Sequence, residues 1–141
     1  MTTRAFATAL EAETAFYEAF ERANLEVMMS VWAKRDDILC IHPSGPRLVG
    51  VDQVRRGWRE IFRSGSRLHF RLGTRRTLEG AGLFVSSLQE HIQVGGEAGS
   101  RHLVLATNIY VLTSSGWLML AHHASPAVSL PEPPAESPIL H

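Results

Sequence analysis

The sequence predicts an α+β domain in which helices come first and long antiparallel strands follow. Up to about residue 64, apolar residues recur with the spacing of helix faces, and from residue 67 onward they alternate with the period of a strand. Turn-forming segments separate the later strands. A chain of 141 residues is long enough for one domain with a single core. We assign this domain to residues 1–126 and treat residues 127–141 as a proline-rich tail.

The first predicted helix covers residues 5–22 and places Phe6, Tyr17 and Phe20 on one face. Glu13 lies within this apolar stripe, one turn before Tyr17. Two interpretations are open for it: a carboxylate that reaches past the edge of the core to water, or a group at the rim of a pocket. The first is favoured.

Two further helices contribute tryptophans to the apolar side of the domain. Asn24 is a good N-cap for a short helix that ends near Trp32, and a strand at residues 38–42 follows. A third helix begins after Gly50 and buries Trp58. Trp32 and Trp58 fit either the apolar wall of a ligand pocket or an ordinary core.

Alternation in the later strands assigns side chains to faces. In residues 67–75 the apolar side chains occupy one face and the polar ones the other, and the polar set is Arg67, His69, Arg71 and Arg75. In residues 82–94, Glu90 falls on the apolar side. A carboxylate there is costly unless it is paired or lines a polar cavity.

The last two strands are apolar on both faces, at residues 103–112 and 117–121. Helices packed on one side of an antiparallel sheet would leave half of these side chains in water. A second copy of the chain is the natural cover, so we expect a homodimer through the outer sheet face.

Composition disfavours several classes of function. The formal net charge is zero, so no overall field attracts nucleic acid or membrane surfaces. No apolar run approaches the roughly 18 residues of a membrane helix, and no signal peptide is evident. Together with the single cysteine, Cys40, these features predict a cytoplasmic protein. The arginine-rich segment 47–76 fits a solvated surface better than a docking face for an acidic partner or nucleic acid.

Several motifs, taken in order, resemble the SnoaL-like branch of the nuclear-transport-factor-2-like superfamily. They are Phe16-Tyr17-x-x-Phe20, the Leu25 to Trp32 helix, Ile41-His42-Pro43-Ser44-Gly45, Gly50, Ala106-Thr107-Asn108-x-Tyr110, and Gly116-Trp117 leading to His122-His123-Ala124-Ser125-Pro126. The resemblance implies a cystatin-like cone, in which a strongly curved sheet wraps around the helices and leaves a pocket at its open end. It also implies dimers packed through the outer sheet face.

The resemblance also suggests site residues. The base aspartate of ketosteroid isomerase, a member of this superfamily, falls on His42, and its oxyanion tyrosine falls nearest Phe16, with Tyr17 one position away. The association domain of a calmodulin-dependent kinase ends in a Trp strand with His-x-Ser. That pattern maps onto Trp117, His123 and Ser125, and it implies that His123 faces inward. Strand alternation then predicts that His122 faces away from the cavity.

The sequence therefore predicts a small, mostly apolar ligand in a pocket that contains His42 and His123. A histidine suits acid/base chemistry near neutral pH, with Asn108 or Tyr17 polarising the substrate, in an isomerisation, cyclisation or dehydration without cofactor or metal. Trp32, Trp58 and Glu90 are the other expected ligand contacts. The alternative is a non-catalytic module for ligand sensing or protein association. A pocket plugged by Trp32 and Trp58 would favour that alternative.

Overall fold

The computed structural model describes residues 6–96 and 99–128. Three helices and six strands are present in the order α1 (Ala9–Arg22), α2 (Leu25–Val31), β1 (Leu39–Ile41), β2 (Arg47–Val49), α3 (Gly50–Arg63), β3 (Leu68–Gly80), β4 (Leu83–Val94), β5 (Ser100–Thr113) and β6 (Gly116–Pro126). Most of the predicted tail, residues 129–141, lies outside the described range. None of the described helices is long and apolar enough to cross a membrane.

The two N-terminal helices are delimited by caps. The hydroxyl of Thr8 accepts a hydrogen bond from the backbone N–H of Glu11, and Asn24 caps α2 through the N–H of Val27, as predicted. Ala23 separates them in the left-handed conformation, with φ of 52°, and its N–H bonds back to carbonyls of α1. This tight turn packs α2 against α1.

The six strands form one sheet in the order β2-β1-β6-β5-β4-β3. Strands β3 to β6 form the predicted antiparallel meander, whereas β1 pairs in parallel with β6. Strand β2 was not predicted, because the prolines at 43 and 46 indicated only a loop. It pairs antiparallel with β1 and forms an edge of the sheet.

The sheet has an inner face, packed against α1, and an outer face. Buried side chains of β4 and β5 alternate with outward ones, and the inner set is Ser86, Leu88, Glu90, Val104, Ala106, Asn108 and Tyr110. Helix α1 covers this inner face and buries one stripe of its own side chains, which includes Phe16, Tyr17 and Phe20. The core therefore lies between α1 and the inner face, as the α+β prediction requires.

Two β-bulges change which side chains face inward. In β3, Gly73 pairs with Gln89 and Arg76 with Ser87, so Thr74 and Arg75 together oppose one residue of β4. In β6, Leu120 is the extra residue, because Met119 pairs with Tyr110 and Ala121 with Ile109. Each bulge shifts the alternation by one residue, and each overturns a predicted orientation described below.

Candidate functional site

A group of polar side chains, all buried except for part of Arg75, lies between α1 and the inner face of the sheet. This inner polar cluster consists of Glu13, Tyr17, Arg75, Ser86, Glu90, Asn108, Tyr110 and His122. Helix α1 supplies the first two, and strands β3 to β6 supply the others. Buried polar groups are costly unless hydrogen-bonded, and each member here has a partner within the cluster.

Glu13 is the acceptor at the centre of the cluster. Its Oε1 accepts from Arg75 Nε at 3.0 Å and from the hydroxyl of Ser86 at 2.8 Å. Its Oε2 accepts from Asn108 Nδ2 at 2.9 Å and from the hydroxyl of Tyr110 at 2.8 Å. The side chain is 1% exposed. The favoured prediction that this carboxylate reaches water was therefore wrong, since four donors satisfy it inside the protein.

Arg75 reaches this carboxylate from the edge strand. Alternation along residues 67–75 assigned Arg75 to the outer, polar face, and this assignment was wrong because the bulge turns its side chain inward. Thr74 takes a φ of 42° at the bulge, a conformation uncommon for a residue with a side chain. The Arg75 side chain remains 38% exposed, so the inner polar cluster reaches solvent at the ion pair between Arg75 and Glu13.

Glu90 is the second buried carboxyl, and its surroundings differ from those of Glu13. Its one hydrogen bond among the described residues comes from the hydroxyl of Tyr17, which donates to Oε2 at 2.5 Å. Burial raises the pKa of Glu90 to about 7; the Tyr17 hydrogen bond opposes this shift and the negative charge of Glu13 adds to it. A carboxyl with this pKa exists in both protonation states near neutral pH.

Asn108 links the two carboxyl groups through its amide. Its Nδ2 donates to Glu13 and, at 3.1 Å, to the hydroxyl oxygen of Tyr17. Burial, followed by the charge of Glu90, raises the pKa of Tyr17 well above its usual value of 10.0. The tyrosine therefore stays protonated and acts as a hydrogen-bond donor at any pH at which Glu90 titrates.

His122 closes the cluster on β6. Its Nδ1 lies 2.6 Å from Asn108 Oδ1. Since that amide oxygen can only accept, the contact assigns the proton to Nδ1. Burial lowers the pKa of His122 well below 6.5, and the neighbouring His42 and His123 lower it further. The imidazole is therefore neutral at pH 7 and orients Asn108.

His42 follows β1 and its ring faces the interior. It lies 5.9 Å from the ring of His122 and 4.6 Å from that of Trp58, measured between centroids, and its Nε2 is 3.5 Å from Cys40 Sγ. Burial lowers the pKa of His42 to about 4, so this imidazole is also neutral at pH 7. Trp58 is fully buried and packs against both histidine rings.

The placement of the two adjacent histidines is the reverse of the prediction. His123 was expected in the pocket and His122 outside it, but His122 is 1% exposed and His123 is an exposed residue of the outer face. The bulge at Leu120 is the reason, because it shifts the alternation between Trp117 and the strand end. His123 pairs with Thr107 on the outer face and does not meet His42.

The other predicted ligand contacts divide into two groups. Tyr17, Glu90 and Asn108 belong to the inner polar cluster, whereas Trp32 bridges to Met119 elsewhere in the core. The indole nitrogens of Trp32 and Trp58 are buried without a hydrogen-bond partner among the described residues. Ser86, Arg75 and Tyr110 were not predicted as site residues. Ser86 and Tyr110 share strand parity with Glu90 and Asn108, and this signal could have identified them.

A wide groove of about 910 Å³ lies at one end of strands β3, β4 and β5, beside the ends of β1 and β6. It is lined by Pro43, Leu68, His69, Arg71, His91, Ile92, Gln93, Val94, Arg101, His102, Leu103, Val104, Pro126 and Ala127. Val104 is the register partner of Glu90 on β5. Val104 has the inner-face register of Glu90, whereas Arg71, Arg101 and Leu103 have that of the outer face, so the groove spans both faces at these strand ends.

The curved open sheet with helices on its inner face defines the cystatin-like, nuclear-transport-factor-2-like class of α+β proteins. Within that class, residues 10–129 match the SnoaL-like domain. The chain belongs to this family.

Two solved structures and one plant protein are similar to this chain. A candidate calcium/calmodulin-dependent protein kinase type II association domain from Thiobacillus denitrificans is 38% identical, with a TM-score of 0.84 over 89% of this chain and 99% of that one. A candidate dehydratase from Streptomyces avermitilis is 32% identical, with a TM-score of 0.77 over 84% and 92%. The F-box protein SKIP8 of Arabidopsis thaliana is 27% identical over 88% of this chain, which spans half of that protein.

Proposed function

We propose that this domain binds a small, mostly apolar molecule beside Glu90 and that Glu90, together with Tyr17, moves a proton on it. The observation that carries the proposal is the buried Glu90 carboxyl with a pKa of about 7. A general base works best when its pKa lies near the working pH. His42, the base suggested from the sequence, has a pKa of about 4 and is a much weaker base than Glu90.

The two carboxyl groups divide the work. Glu13 accepts four hydrogen bonds and has no free capacity for a substrate, so its role is to hold Arg75, Asn108 and Tyr110. Glu90 has a single donor and lies next to the apolar side chains of Leu72 and Val104 across the sheet. An apolar surrounding with one oriented donor is the setting in which a carboxyl keeps a raised pKa.

The reaction that fits this geometry is proton transfer at carbon next to a carbonyl group. The Glu90 carboxylate would take a proton from that carbon, the electron pair of the C–H bond would form a C=C bond to the carbonyl carbon, and the π pair of the carbonyl would move to its oxygen. Once Glu90 carries the proton it no longer needs the hydrogen bond from Tyr17, and the hydroxyl of Tyr17 can donate instead to the enolate oxygen. Returning the proton to the same carbon gives exchange, and returning it to another carbon gives isomerisation. The candidate dehydratase among the relatives supports this class of chemistry.

Exchange of carbon-bound protons tests the proposal without knowledge of the substrate. A panel of small cyclic ketones and enones is incubated with the protein in D₂O, and loss of the α-proton signals is followed by NMR. We expect exchange of at least one compound to be faster than in buffer, and Glu90→Gln to remove the acceleration. Glu18→Gln, at an exposed position of α1, is the matched control and should retain it. Buffer rates across the whole panel would overturn the proposal.

A non-catalytic association module is the second candidate. Its support is the packing of Trp58, which fills the space between His42, His122 and the aromatic rings of α1, together with the candidate kinase association domain among the relatives. In this alternative the inner polar cluster fixes the shape of the domain and the outer sheet face carries the function.

For either function we propose a homodimer through the outer sheet face. One apolar row crosses four strands there, because Leu78 pairs with Val85, Val85 with Ile109 and Ile109 with Ala121. Leu78 is 72% exposed in the single chain and Leu105, nearer the groove, is 48% exposed. Exposed apolar rows of this kind are typical of interaction surfaces.

Leu105→Glu is expected to convert the dimer to a monomer, because it places a charge within the proposed interface while leaving the core intact. Leu10→Glu is the matched control, since Leu10 is 45% exposed but lies on α1. Sedimentation velocity at micromolar concentration measures both variants. A monomeric wild-type protein, or a Leu105→Glu variant that still dimerises, would contradict the proposed interface.

A further inference from the structure

The groove at the ends of β3, β4 and β5 has an unusual balance of charge. Its lining includes two arginines and three histidines, Arg71, Arg101, His69, His91 and His102, and none of the lining residues is a carboxylate. His69 is the one member of this set with an acidic partner among the described residues, Glu21 at 3.2 Å. The guanidinium groups of Arg71 and Arg101 make no ion pair and no hydrogen bond with any residue that the structure describes. Most of the other lining residues are apolar.

Strand register places the two arginines on either side of β4. Arg71 on β3 pairs with His91, and Arg101 on β5 pairs with Gln93, the next position on the same face. Strands β3 and β5 are about 10 Å apart, twice the usual interstrand spacing, and two extended arginine side chains can converge on one anion across that span. Planar guanidinium groups suit carboxylates because they donate two parallel hydrogen bonds.

We infer that this groove binds an organic carboxylate with an apolar body, the carboxylate held by Arg71 and Arg101 and the body by the aliphatic lining. Leu68, Val94 and Leu103 offer apolar surface, and the volume lies within the range of small-molecule sites. The inference goes beyond the proposed function, because Arg71 and Arg101 lie on the outer face of the sheet and Glu90 lies on the inner face. Binding itself requires no proton transfer.

Octanoate is the probe, and isothermal titration calorimetry with backbone NMR shifts gives its Kd and its location. We expect octanoate to shift the signals of the groove strands. Octanamide has the same shape but no charge, and we expect it to bind more weakly by about ten-fold or more. Arg71→Gln with Arg101→Gln should weaken octanoate binding by about ten-fold or more, because both charged donors are lost. Arg56→Gln with Arg59→Gln, two exposed positions of α3 outside the groove, is the matched control and should bind octanoate like the wild type.

Three results would overturn the inference: no octanoate binding, equal binding of octanoate and octanamide, or unchanged binding in the Arg71/Arg101 variant. Dispersed NMR spectra establish that each variant is folded. Octanoate binding to the wild type without any exchange activity would reject the proton-transfer proposal and leave the groove assignment standing. Exchange activity without octanoate binding would do the reverse, so the two failures are distinguishable.

Discussion

Replacing Glu13 by glutamine is expected to destabilise the protein by about 3 kcal/mol. This value is the lower end of the range found when one partner of a buried ion pair is removed. The carboxylate accepts from Arg75, Ser86, Asn108 and Tyr110, whereas an amide offers one oxygen and adds two N–H groups. Some of these donors therefore lose their acceptor inside the core, which is costly.

Urea unfolding at pH 7 measures this loss of stability. Glu18→Gln on the same helix is the matched control, and we expect a change within about half a kcal/mol because the residue is exposed. A Glu13→Gln variant as stable as this control would show that the four hydrogen bonds around Glu13 contribute no net stability.

Glu90→Gln is expected to have the opposite effect above neutral pH and to stabilise the protein. The pKa of Glu90 rises from an ordinary 4.5 to about 7 on folding, so the stability from its bound proton is full below pH 4.5 and is lost as the pH rises through 7. Glutamine cannot ionise, and its oxygen can still accept the hydrogen bond from Tyr17. We expect a gain of about 3 kcal/mol at pH 8.5 and less than about 1 kcal/mol at pH 5.

The same unfolding experiment, repeated at the two pH values, tests this expectation. Glu13→Gln provides the contrast, because the same chemical change there removes an acceptor of four hydrogen bonds and should destabilise at both. If Glu90→Gln destabilises the protein equally at pH 5 and pH 8.5, Glu90 is an ordinary structural carboxylate and the proton-transfer proposal loses its support. Residues that serve activity often reduce the stability of the fold, so replacing one of them can stabilise the protein.

Local patterns predicted the fold and part of the candidate site. The Asn24 cap and the long apolar alternation of β4 depend on neighbours in sequence, so they were visible in the chain. Glu90 was identified for the same reason, because strand parity placed a carboxylate on the apolar side. Such positions stand out since a buried charge requires a specific partner.

The rest depended on contacts between distant residues. The bulges at Thr74–Arg75 and at Leu120 arise from the register between neighbouring strands, and the residue pattern of each strand alone did not predict them. They turned Arg75 inward and exchanged the faces of His122 and His123. Glu13 was assigned to water because its four partners are more than 60 positions away in the chain.

The pKa of Glu90 is the quantity on which the proposed function depends, and NMR measures it directly. Protein labelled with ¹³C at glutamate carboxyl groups is titrated, and the Glu90 signal is assigned by its absence in Glu90→Gln. We expect a midpoint near 7 for Glu90. A midpoint near the ordinary value of 4.5 would contradict it, because Glu90 would then be fully ionised at neutral pH.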